Sequence, residues 1–425
     1  MGDRVSLKTG FTIAVIAVSV ITAIAMVLLW PSGDSPFKAG PTSGKTEEGQ
    51  IQSLANEPCD DPLPGDCLTA EVEITSGAEE GKVVDVTLSS GGPVPDYDIG
   101  NKVRVNRVEF TPDQFSSPGV PRVQYTVFDF ERRAPLLVLF LIFAALVIAF
   151  GRLRGALSLV GLGLSLAVVL VFIVPAILDG SSPLAVAIVG SMAVMLLSIS
   201  LAHGVGPKSL AAIVGTGFSL LLVGLIAVIA TNAIHLTGMA TEETTTLALT
   251  DDSISLSGLL IAGMIIGALG VLDDVTISQA STVFAIRSAD PDQGFVDLYR
   301  RAIDVGRDHV SATVNTLVLA YVGSSLPILL IFGSGSLGLV EAFNLEIISK
   351  EIVAMLVGSI GLIAAVPITT ALAALMARSM SDEESADAAE GGHHHGHAPE
   401  RTGSVEATGG ESVLRPREKQ RKFFR

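Results

Sequence analysis

Long uncharged runs separated by short polar turns fill most of this chain, and one segment near the front breaks the rhythm with a period of two. Apolar stretches at 11–30, 134–150, 156–178, 184–201, 210–234, 259–286, 310–332 and 352–376 are each on the order of the ~20 residues that cross a bilayer core. They predict eight membrane-spanning helices. The period-two segment starts at Leu68, where Leu68, Ala70, Val72 and Ile74 alternate with Thr69, Glu71, Glu73 and Thr75. Further strand-like runs follow at 82–88, 101–110 and 122–130. Four or five short strands predict a small barrel-like β domain, of the oligonucleotide/oligosaccharide-binding type by strand count. The expected division is an N-terminal helix (1–30), a flexible linker (31–66), a β domain (67–133), a seven-helix membrane domain (134–377) and a disordered tail (378–425).

Charge orients this polytopic α-helical protein. Placing the N-terminus in the cytoplasm puts Arg152, Arg154, Lys208, Arg287, Arg300, Arg301, Arg307 and the basic tail inside, as the positive-inside rule requires. Short outer loops then hold Glu242, Glu243, Asp251 and Asp252 against the single base Lys350. The β domain falls outside, with the two cysteines, Cys59 and Cys67, in CDDPLPGDC. An even pair confined to one outer segment fits a disulfide on an oxidising face. The first span resembles a signal peptide but lacks a small-x-small cleavage site, so it is read as an uncleaved anchor. The expected location is a bacterial plasma membrane. A net charge of −16, with acids outnumbering bases two to one over 31–133, argues against nucleic acid as a partner.

The stretch LSGLLIAGMIIGALGVLDDVTISQASTVFAIR, residues 256–287, carries the candidate chemistry. Its clean apolar part, 259–272, would rise only about 21 Å as a helix, too short for a core of about 30 Å. One solution continues the helix through Asp273 and Asp274 and places both carboxylates within the membrane. The other ends the helix at Leu272 and leaves the pair as a cytoplasmic cap. Burial of one central Asp costs roughly 2.5–3.5 kcal/mol on insertion scales, so the first solution implies function or shelter. Gly263, Gly267, Gly270 and Asp274 share one helical face, and small residues there predict close packing of a neighbouring helix. Thr276, Ser278, Gln279, Ser281 and Thr282 continue with groups able to share a proton. His309 and Asn315, early in the seventh span, lie at the depth where the acids need partners. The expected relay is Asp273, Asp274, Thr276, Gln279, His309 and Asn315, serving protons or a monovalent cation.

Other features add less. VGLGLSL (160–166) echoes VGTGFSL (214–220), with Arg154 matching Lys208, which suggests a two-helix repeat forming a scaffold for the aspartate helix. Residues 295–307 read as an amphipathic helix lying at the cytoplasmic interface. Tyr125, Phe128 and Phe130 read as core or membrane-adjacent packing. His393, His394, His395 and His397 lack carboxylate or cysteine partners and make a poor metal site. No cofactor is expected, and homo-oligomerisation is left open.

Four blocks resemble the YibE/F family of bacterial membrane proteins, in order from Cys67 to Met376: CLTAEVEITSG, LAHGVGPKSLAAIVGT, GALGVLDDVTISQAS and DLYRRAIDVGRDHVSATVNTLVLAYVGSSLPILL. The resemblance implies a polytopic membrane protein and no particular reaction. The G-x-x-x-D-D segment with its following amphipathic and Thr/Ser-rich helices is also similar to half of an RND transporter or a SecD/SecF export protein. That likeness implies a proton-carrying role for Asp273 and Asp274. It departs from the pattern in having two extra helices before the motif, a smaller outer domain and no intramembrane Lys or Arg. Three functions follow as candidates: proton- or cation-coupled transport or export assistance; an envelope assembly factor or receptor whose β domain binds an envelope component; and an intramembrane hydrolase. Adjacent acids on one helix point about 100° apart, which argues against the hydrolase, and the sequence shows no phosphate-binding glycine loop, nucleophile elbow or metal-ligand constellation that points to another enzyme.

Overall fold

A computed structural model describes residues 2–33, 46–58, 66–90, 95–109, 123–251, 253–336 and 338–380. The helices are α1 (Gly2–Leu28), α2 (Arg133–Val168), α3 (Val174–Leu178), α4 (Pro183–His203), α5 (Pro207–Ile234), α6 (Glu242–Thr250), α7 (Leu256–Ala289), α8 (Phe295–Ser324), α9 (Leu326–Ile331), α10 (Leu339–Asn344) and α11 (Glu346–Ser379). A π-helical turn, Val169–Ile173, joins α2 to α3 just before Pro175, whose missing N–H cannot extend a regular ladder.

Among the described residues six helices are long and apolar enough to cross a membrane, which makes this a multi-pass membrane protein; α8 with α9 supplies a seventh if their 63° bend lies within one span. The sequence reading divides differently at Arg133–Leu178, which is one 46-residue stretch here. It would reach about 69 Å if straight, over twice a bilayer core. It is not straight. Arg152 adopts φ 51°, ψ −131°, and a Cβ on Gly155 would meet the Val147 carbonyl oxygen at 2.3 Å. On a straight helix eight residues separate these positions by about 12 Å, so the chain bends sharply here and Gly155 is the residue that fits.

The β domain is a five-stranded antiparallel sheet ordered β3-β2-β1-β4-β5, from strands Thr46–Pro58, Asp66–Ile74, Val83–Ser90, Lys102–Glu109 and Val123–Phe130. Its edges β3 and β5 curl toward each other into a half-barrel. Ile51, Val72, Ile74, Val84, Val86, Val103 and Val105 form its aliphatic core. The predicted linker 31–66 is corrected here: β1 is the central strand. Its alternation is hidden because a bulge between Ile51 and Ser53 shifts the register and few of its side chains are apolar. Cys67 is buried in β2, while Cys59 lies outside the described residues, as do Asp252, the histidine tract and the tail from 381. Phe130 packs on Tyr97 with ring centroids 4.8 Å apart, whereas Phe128 is 73% exposed.

Arg133, the first residue of α2, fastens the domain to the helices. It donates to Glu131 from Nε at 2.8 Å and also binds Glu48 on β1. Arg104 on β4 lies 3.5 Å from Glu131 and donates to the Thr46 carbonyl at 2.7 Å. Hydrogen bonds from Arg133 hold the Glu131 carboxyl down to about 2.

α7 runs through the centre of the helical bundle against α4, α5, α8 and α11. The scaffold therefore differs from the predicted repeat: α2 packs on α4 instead of on the aspartate helix. The predicted interfacial helix also differs, because nothing in 295–324 interrupts the ladder and α8 is continuous from its amphipathic start.

Candidate functional site

The helix continues through both aspartates, which stand midway along α7 and do not cap it. Its buried face carries Ile265, Leu269, Leu272, Thr276, Gln279 and Val283 at three- and four-residue steps. Three polar residues on this side each reach a different part of the bundle. Asp273 accepts a hydrogen bond from Ser198 Oγ of α4 at 2.7 Å, and its other oxygen, Oδ1, is buried with no partner among the described residues. Thr276 shares a 2.5 Å hydrogen bond with Thr216 of α5, both fully buried, and donates to the Asp273 carbonyl at 3.1 Å. Gln279 donates at 2.8 Å both to the Ala302 carbonyl of α8 and to Thr370 Oγ1 of α11. Thr370 in turn donates to the Val366 carbonyl. Buried polar groups in an apolar bundle need such partners. A single stripe on α7 thus meets all four neighbouring helices.

The end of α4 lies about 7.5 Å beyond Ser198, five residues at the helical rise. Asp273 is therefore within one and a half turns of the end of the bundle marked by His203 and Lys208. Asp274, one residue on, is exposed and within electrostatic range of His203.

Several predicted members stand elsewhere. His309 and Asn315 are exposed, and among the described residues neither bonds to the aspartates. Matching depth along α8 did not fix its rotation, and the buried side of α8 is Leu298, Ala302, Ile303 and Gly306. The predicted packing stripe is likewise corrected. Gly263, Gly267 and Gly270 lie on the exposed face of α7; a Cβ on Gly263 or Gly270 would have nothing within 4 Å, and one on Gly267 would meet only the Tyr321 hydroxyl at 3.7 Å. Close packing is found instead at Gly215 of α5, where a Cβ would meet Thr369 Oγ1 at 2.3 Å. Ser198, Thr216 and Thr370 were missed. Each is a hydroxyl inside a nearly all-apolar helix, which is the signal that could have marked them.

No curated protein and no solved structure matches the chain, so the likeness to RND and SecD/SecF proteins rests on the motif alone. A family model described as YibE/F-like protein does match, over residues 139–379, which is more than half of the chain and takes in every residue of the α7 stripe and its partners. By that match, the chain belongs to the YibE/F family.

Proposed function

We propose that this protein is a proton-coupled transport or export-assisting machine in which Asp273 carries the proton. The observation that supports it is the asymmetry of that carboxyl: one oxygen is held by Ser198 and the other is buried without a partner among the described residues. An ionic group left half-satisfied in an apolar bundle is costly to keep. A proton fits this site better than a metal cation, because among the described residues Ser198 is the only side chain bonded to the Asp273 carboxylate and a hard cation takes several oxygens. Asp274, exposed beside it, is the entry group from the water-facing end. Thr276 and Gln279 tie the position of α7 to α5, α8 and α11, so a change of charge at Asp273 bears on helices that share its hydrogen-bonded stripe.

In this reading the sharp bend at Arg152 separates two crossings, giving eight in all, with both termini cytoplasmic and the half-barrel outside a bacterial plasma membrane. Cys59 and Cys67 pair there. The Arg133 clamp carries movement from α2 into the half-barrel.

The test uses full-length protein in proteoliposomes with an internal pH dye, alongside complementation of a deletion strain. Asp273→Asn is expected to abolish gradient-driven proton uptake and complementation, and Asp274→Asn to slow both. Full activity of Asp273→Asn in both assays would end the proposal. The alternative, an envelope assembly factor or receptor, draws on exposed Phe128 of β5. It requires Asp273→Asn to be silent while exchange of the half-barrel abolishes complementation.

A further inference from the structure

Where α4 gives way to α5, three basic side chains converge from three helices. Gly161 of α2 faces Ser198 of α4, its Cβ position lying 4.0 Å from the Ser198 Cα. Seven residues back along α2 are two turns, which return to the same face about 10.5 Å away, at Arg154. The two helices run antiparallel, and five residues on from Ser198, about 7.5 Å in the same direction, is His203. Lys208 is the second residue of α5, just past the turn 204–206. The convergence is borne out electrostatically: His203 lies within range of Lys208 and Arg154, and Lys208 within range of Arg154.

Among the described residues, none of the three forms a salt bridge. Asp274 is the one acid acting on His203, and it bonds to none of them. Arg154 and Lys208 are like charges that repel each other, with no carboxylate bonded to either among the described residues to offset them. The surroundings favour an anion further. α5 starts at Gly206 with no side-chain cap, and Pro207 has no N–H, so the amides of Lys208 and Ser209 have no acceptor within the helix. Beside them Ser209 is 1% exposed, and its hydroxyl has no hydrogen-bond partner among the described residues.

We infer that Arg154, His203 and Lys208 form a binding site for a phosphate-bearing anion at the mouth of the bundle, next to Asp274. A guanidinium takes two phosphate oxygens in parallel, an ammonium adds a point charge, and an open helix N-terminus adds amide donors. The phosphate comes either from an anionic lipid headgroup, since these residues lie at the membrane edge in the proposed topology, or from a free phosphate in water. The site stands independently of proton coupling, because it is read by binding alone.

Full-length protein in nanodiscs tests it in two arms. Native mass spectrometry counts phosphatidylglycerol retained from a phosphatidylcholine/phosphatidylglycerol mixture, and thermal melting in pure phosphatidylcholine compares inorganic phosphate with chloride at matched ionic strength. The double variant Arg154→Gln/Lys208→Gln is compared with Arg300→Gln/Arg301→Gln, which removes the same charge from α8. Loss of retained lipid by about tenfold or more in the first variant only supports the site with a headgroup as ligand. A phosphate-dependent rise in melting temperature lost only in the first variant supports it with a free phosphate. Equal retention and equal shifts in all three proteins, or the same loss in both variants, would overturn it.

Discussion

On one side of α7, Asp273, Thr276 and Gln279 each bond to a different neighbouring helix; on the other, Gly263, Gly270 and Asp274 bond to no neighbouring side chain among the described residues. The buried side holds α7 in register with four helices through a few short hydrogen bonds set among tightly packed aliphatic groups. The glycine side leaves an open track that ends at an acid. The difference teaches that sequence neighbours need not share an environment. Asp273 and Asp274 are adjacent, yet one is enclosed with a hydroxyl partner and the other faces outward toward His203.

Substitutions can break or sharpen that contrast, with stability read as unfolding of the reconstituted protein. The largest effect is expected from Leu272→Ala, which empties a site only 1% exposed and should cost about 2–5 kcal/mol. Gly215→Leu, which drives a side chain into Thr369, should cost about 1–3 kcal/mol through overpacking. Gln279→Leu removes two bonds but keeps the volume, and interhelical hydrogen bonds of this kind average about 0.6 kcal/mol with a ceiling near 1.7. Gly270→Ala, on the open face, should cost nothing and raise stability by about 0.5–1 kcal/mol, the helix preference of Ala over Gly. A cost for Gly270→Ala as large as that for Gly215→Leu would show that the two faces are not different in kind.

The smallest effect lies outside the bundle. Glu131 has its carboxyl held down to about 2 by Arg133, below its ordinary range. Its contribution is therefore complete above that ordinary range and fades as pH falls toward 2. Protection against hydrogen exchange at the β5–α2 junction, taken relative to the intrinsic amide rate at each pH, should fall over this acid window, and Glu131→Gln should flatten the change. The effect is small because the partner Arg133 is well exposed to water.

Much of this was legible from residue order. Strands β2 to β5 follow from alternation, because one face of a sheet is core and the other water. Length left two readings of α7 open, and the one that carries the helix on through Asp273 is the one found. What escaped depended on rotation and on long-range pairing. The glycine stripe looked like a packing face because small residues permit close approach, but permission is not contact: the aliphatic side, with Ile265 and Leu272, carries the burial. His309 and Asn315 have the right depth and the wrong azimuth. β1 was read as linker because its partners, β2 and β4, supply the order that its own few apolar residues do not announce.

The Arg133 clamp has a mechanical consequence. β5 is an edge strand and leads into α2, so a tug along that helix would by itself peel β5 away one rung at a time. Arg133 also grips Glu48 on the middle strand, and Arg104 on β4 braces Glu131. Load arriving from the helix is therefore shared by three strands at once instead of falling on the edge strand alone.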